Sequence, residues 1–171
     1  SSIAQAASPI TALGPTGAAL IISSQRPGPG QDALRWAAHD AGRVAAVFTE
    51  LGGLDPDRIT VLEDPDPSEI LDEIEAIAAD LKARARDDEP AAFLFYYSGH
   101  ARARGLDLGG EILQLDTLRA KLEELPASVR LVVLDACQAG AVSGVKGASP
   151  AANFSTASVA GLRAEGTAII A

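Results

Sequence analysis

The chain has 171 residues, 47% hydrophobic and 22% charged, which is the composition of one globular domain and not of a disordered segment. A formal net charge of −9 argues against a nucleic acid or an anionic membrane as partner, since both need a basic face, and no apolar run approaches the roughly 20 residues that span a bilayer. One cysteine rules out an intrachain disulfide framework, and one cysteine with two histidines at no close ligand spacing gives no structural zinc site and no other metal centre.

In chain order, residues 1–16 are rich in Ala, Ser, Pro and Gly and read as an N-terminal arm or linker. There is no methionine, so Ser1 is expected to begin a processed chain or a fragment. Residues 4–9 resemble the stretch just after a bacterial export signal, which leaves localisation open between bacterial cytoplasm and export. Residues 17–171 form the expected domain. Ala18–Ser23 is a short continuous apolar run, the mark of a strand buried on both faces. After the loop Arg26–Gly30, Asp32 has the chemistry of an N-cap, followed by Leu34, Ala37, Ala41, Val44, Phe48 and Leu51 at helical spacing, with Gly52–Gly53 as a stop. Arg58–Leu62 is a second strand. Asp66-Pro67-Ser68-Glu69 combines a capping acid, Pro at the first helical position and Glu at the third, ahead of the stripe Ile70, Leu71, Ile74, Ile77 and Leu81.

Ala91–Tyr97 is a third buried strand. Residues 106–113 read as a small hairpin around Gly109-Gly110, and Asp116 can cap a short helix bearing Leu118, Leu122 and Leu125. Arg130–Leu134 is a fourth buried strand, residues 139–160 read as a flexible connection, and Thr167–Ala171 begins a fifth strand. Strands alternating with helices predict an α/β domain with a mostly parallel sheet and helices on both faces.

In open sheets of this kind, sites lie beyond the carboxyl ends of the strands. The third strand runs into Ser98-Gly99-His100-Ala101 and the fourth into Asp135-Ala136-Cys137-Gln138. If the two strands are neighbours, about 4.8 Å apart, a thiol and an imidazole meet across a narrow gap, as a cysteine nucleophile and its base must. Period-two alternation, if it persists to the strand ends, points Ser98 the same way as His100 and Asp135 the same way as Cys137. A carboxylate so near a thiol raises its pKa, so the better use of Asp135 is to bind a cation on the substrate.

Tyr96-Tyr97-Ser98-Gly99-His100 and Leu134-Asp135-Ala136-Cys137-Gln138-Ala139-Gly140 resemble the two catalytic motifs of the caspase-like clan of cysteine peptidases, above all those of metacaspases and bacterial caspase-family proteins (YYSGHG and DxCxSG). The resemblance implies a three-layer caspase-like sandwich and a large-subunit-like catalytic part. The final strand of the family would be absent from this chain, so that the small-subunit part is a separate chain or a missing segment. It implies a cysteine endopeptidase with His100 as general base and acid, Cys137 as nucleophile, and an oxyanion hole from the backbone N–H groups of Cys137 and Ala101. Ala101 stands where the family has glycine, and a backbone donor there tolerates alanine only at negative φ. In the family an acid two residues before the cysteine accompanies cleavage after Arg or Lys. Asp135, Ser98 and Asp40 on the first helix would then form the P1 pocket, and the partner would be a protein or peptide with a basic P1 residue. Self-cleavage after the catalytic cysteine, which many members perform, would fall at Lys146 or Arg163. No cofactor is implied. Some metacaspases are calcium-activated, but their acid-rich segment is not matched by Asp107, Glu111 and Asp116.

Other readings weigh against each of these. A lone cysteine is often a small core hydrophobe, Asp40 an exposed helix acid, Asp135 a cap for loop N–H groups, Ser98 a turn residue and the two tyrosines sheet packing. For the whole chain, the rivals are an inactive caspase-like scaffold and a flavodoxin-like binding module.

Overall fold

The computed structural model describes residues 16–35, 37–50, 52–85, 91–102, 105–136 and 166–170. Residues 1–15 of the expected arm at 1–16, the connection at 139–160, and Cys137, Lys146 and Arg163 lie outside the described residues. The chain runs β1 (Ala18–Ser23), α1 (Ala37–Glu50), β2 (Ile59–Glu63), α2 (Pro67–Arg84), β3 (Ala92–Ser98), β4 (His100–Arg102), β5 (Gly105–Leu108), β6 (Glu111–Gln114), α3 (Leu115–Glu123), β7 (Val129–Asp135) and β8 (Gly166–Ile170). Five strands form a parallel sheet in the order β2-β1-β3-β7-β8, and β4-β5-β6 form a second, antiparallel sheet.

The central strands are continuous apolar runs because both of their faces are covered. On one face Leu20, Ile22, Phe93, Phe95, Tyr97, Val132 and Leu134 pack with Ile70, Ile74, Ile77 and Leu81 of α2 and with Leu118 and Leu122 of α3. On the other, Ile21 and Tyr96 meet Ala41 of α1, with Val44, Ala45 and Val133 around them. Each large side chain fully buried in this way contributes about 1.5–3 kcal/mol. The expected α/β sandwich with helices on both faces is therefore the observed one.

Helix α2 starts as its sequence dictates. The Asp66 carboxylate accepts the Glu69 N–H at 2.9 Å, and the Glu69 carboxylate accepts the Asp66 N–H at 2.7 Å, a complete capping box. The β5–β6 hairpin turns on Gly109 and Gly110, whose φ values of 75° and 104° an L side chain disfavours. Two starts differ from expectation. Helix α1 begins at Ala37, so Asp32 is not its cap: residues 24–35 form a loop, tied by the Leu34 N–H to the Gln25 carbonyl at 3.2 Å. Nor does Asp116 cap α3. Strand β6 runs directly into the helix through Gln114, and Asp116 falls inside the first turn, where its charge still opposes the helix dipole.

The stripe facing the sheet, more than the cap, anchors α2. Ile74, 1% exposed, is expected to cost about 2–5 kcal/mol on replacement by Ala, whereas Asp66→Ala costs about 1 kcal/mol. Urea denaturation of both variants checks this, and equal costs would contradict it.

Candidate active site

Strands β3 and β7 are hydrogen-bonded neighbours along seven residue pairs, from Ala92 opposite Val129 to Ser98 opposite Asp135. One step further, the Gly99 N–H donates to the Asp135 carbonyl at 3.2 Å. The residue before His100 is thus bonded to the residue two before Cys137, and the two motifs lie at one sheet rim. The side chain of Cys137 is outside the described residues.

Beyond Ser98 the alternation stops. His100 does not continue β3 but opens β4 of the second sheet, with Gly99 at the corner. The expectation that Ser98 and His100 share a direction through extended geometry therefore loses its basis. Gly99 is required by space. A Cβ there would lie 2.4 Å from the Tyr97 hydroxyl oxygen, 2.7 Å from Tyr97 Cζ and 3.0 Å from Ser24 Cβ. The Tyr97 hydroxyl donates to the His100 carbonyl at 2.6 Å and lies 3.0 Å from the Asp107 carbonyl, so one buried phenol pins the backbone of the histidine. Burial is the main cause pushing the Tyr97 pKa well above the ordinary phenol value, which keeps it a donor.

The His100 ring reaches the loop between β1 and α1, with Nε2 2.8 Å from the Asp32 carbonyl oxygen. A carbonyl only accepts, so Nε2 carries the proton, and in the neutral ring Nδ1 is left with its lone pair. The residue pattern gave no sign of this contact. It singles out Asp32 by its side chain, whereas the backbone oxygen makes the bond.

The residues expected to form the P1 pocket sit on the α1 side of the sheet. Ser98, 6% exposed, follows Tyr96 by two positions in β3, and the Tyr96 hydroxyl donates to Asp135 Oδ2 at 3.3 Å. Burial first, then the Asp135 charge, push the Tyr96 phenol up to about 12. The Ser98 hydroxyl offsets part of this rise, and the Asp40 charge adds a smaller push upward. Tyr96 thus donates to Asp135 and lies within the field of Asp40, a role that a reading of it as sheet packing overlooks. Asp135 is exposed and makes no ion pair among the described residues, while Asp40 lies 3.6 Å from His39 Nδ1. Ala101 has no positive φ, so alanine fits that backbone without strain.

Asp107 is fully buried and accepts from Arg102 Nε at 2.6 Å, Gln31 Nε2 at 3.0 Å and the Gly110 N–H at 2.8 Å. Burial, the largest single influence, would raise its carboxyl, but the Arg102, Gly110 and Gln31 contacts together outweigh it and hold the pKa below the ordinary value. Its stabilising contribution is therefore present above the unfolded carboxyl pKa and is lost as pH falls through the lowered one. With three donors already on it, Asp107 is not arranged as a calcium ligand. Among the described residues no cluster of three His, Cys, Asp or Glu side chains could hold a metal ion.

The His100 ring and the end of β7, two residues short of the chain's one cysteine, thus lie at the same rim of the parallel sheet. The family model for the peptidase C14 caspase domain matches residues 16–163, and the chain belongs to that family of cysteine peptidases. A search of curated proteins found no match.

Gly99→Ala is expected to destabilise the fold by about 1–3 kcal/mol, the usual cost of forcing extra volume into a packed site. Urea denaturation measures it, and a loss within error of zero would show that Tyr97 can yield its place freely.

Proposed function

We propose that the chain is a cysteine endopeptidase that cleaves after Arg or Lys, with Cys137 as nucleophile and His100 as general base and acid. The observation that carries the reading is the Gly99–Asp135 hydrogen bond, which ties the approaches to both residues into one rim. The Cys137 thiol gives its proton to His100 Nδ1, and the thiolate attacks the scissile carbonyl carbon. The resulting oxyanion takes hydrogen bonds from the backbone N–H groups of Cys137 and Ala101. Collapse breaks the C–N bond, with His100 protonating the leaving amine, and water then releases the acyl group through the same histidine.

Asp135, Ser98 and Asp40 form the P1 pocket in this reading. The exposed Asp135 carboxylate offers charge-assisted hydrogen bonds to a guanidinium or ammonium group, and Tyr96 holds it from behind. The reading requires no cofactor. A fluorogenic peptide panel varied at P1, run with and without calcium, is expected to show turnover on Arg and Lys only, abolished in Cys137→Ala. Asp135→Ala is expected to lower kcat/KM on the Arg substrate by roughly 10²- to 10³-fold, which is about 3–4 kcal/mol of transition-state binding. A preference for Asp at P1 would refute the pocket.

The same specificity nominates Lys146, set in Gly144-Val145-Lys146-Gly147, and secondarily Arg163, as sites of self-cleavage. Mass spectrometry is expected to find the cut in the wild type and not in Cys137→Ala. Identical fragments in both would rule self-processing out. If an intact, folded wild type neither cleaves the panel nor takes up iodoacetamide at Cys137, the inactive scaffold is the correct reading.

A further inference from the structure

We propose that Asp107, acting through Gln31, is a positioning residue for His100: it fixes the Asp32 carbonyl that holds the ring. The proposal rests on His100 being the general base. The carbonyl lies in the loop 24–35, which has no helix or strand to place it. The Gln25 and Arg26 N–H groups bonded to Asp64, and Leu34 bonded to Gln25, hold the ends of the loop, and the tether next to the carbonyl is Gln31. The Gln31 side-chain carbonyl accepts the Gly28 N–H at 2.9 Å, its amide nitrogen donates to Asp107 Oδ2 at 3.0 Å, and its own backbone N–H donates to the Gly28 carbonyl at 3.1 Å. Gly28 leaves room for this. A Cβ there would stand 3.0 Å from Gln31 Oε1 and 3.1 Å from both Asp107 carboxylate oxygens.

Asp107 reaches His100 by a second route. It is the direct partner of His100 in the β4–β5 pairing, and its Oδ2 also takes the Nε–H of Arg102, two residues beyond the histidine. One buried carboxylate therefore fixes both ends of the Asp32–His100 hydrogen bond, the loop that accepts and the strand that donates. The hairpin alone would be served by Arg102 and Gly110. The Gln31 arm adds nothing to the hairpin and ends one residue from the carbonyl on the ring, so this arm gives the cluster a role in catalysis. Its removal frees the ring to rotate or change tautomer and to lose the alignment of Nδ1 on which proton transfer depends.

Asp107→Ala leaves buried donors unpaired and risks the fold, so the test uses Gln31→Met, which keeps the side-chain length and deletes only the amide. The chain has two histidines, so the His100 imidazole is assigned in ¹⁵N NMR spectra by comparison with His39→Gln. In the neutral ring, the wild type is expected to show one tautomer with Nε2 protonated. Gln31→Met is expected to populate the second tautomer and to lower kcat on an Arg-P1 peptide on the order of 10- to 100-fold, with KM within about two-fold because the amide touches no substrate. A folded Gln31→Met with an unchanged tautomer and unchanged kcat would overturn the proposal. The tautomer is read without turnover. Absence of cleavage in the wild type would therefore sink the peptidase reading, and the NMR result would still judge the positioning on its own.

Discussion

The parallel pairing of β3 with β7 is the constraint on which the site depends. Its register is maintained for seven pairs, and a slip of one residue would turn the whole β7 apolar set to the opposite face. Val132 and Leu134 face α2 and α3, and Val133 faces α1, so both faces penalise a slip. Core packing, some distance from any chemistry, thereby sets which residues stand opposite each other at the rim. Ser98 meets Asp135 because Phe95 meets Val132 below them.

The two tyrosines of the motif divide the rim between the faces of the sheet. Tyr96 points to the α1 side, donates to Asp135 and lies in the field of Asp40. Tyr97 points to the other side and ties the carbonyls of His100 and Asp107. Alternation along a strand requires this opposition. One tyrosine bonds the Asp135 carboxylate and its neighbour the backbone that carries the imidazole. A glycine must come next, at position 99, because the second phenol occupies the space of a side chain.

Much of this was legible in the residues. Continuous apolar runs gave β1, β3 and β7, the Asp66–Glu69 spacing gave the start of α2, and Gly109-Gly110 gave the hairpin turn. What escaped was contact between distant parts of the chain through groups that residue type does not advertise. The His100 ring meets a backbone carbonyl 68 positions away, and any residue at position 32 would supply one. Asp107 and Gln31 are 76 positions apart, and nothing in either neighbourhood distinguishes a buried clamp from a surface acid. Asp32 and Asp116 misled for a related reason. Capping chemistry predicts where a helix can begin, whereas tertiary contacts decided that α1 begins later and that β6 enters α3 without a break.

The acidity of the rim poses a difficulty that the geometry helps to resolve. A carboxylate two residues before a thiol opposes thiolate formation, yet Asp135 holds that position before Cys137, the proposed nucleophile, and lacks an ion-pair partner among the described residues. Its exposure to water screens the charge, and the Tyr96 phenol draws part of it toward the sheet. If Asp135 takes the basic P1 side chain as proposed, binding supplies the missing cation. The local field then becomes favourable to the thiolate when a scissile carbonyl is in place. A neutral P1 residue would leave that field unfavourable, so the same carboxylate selects the substrate by direct contact and by its effect on the nucleophile.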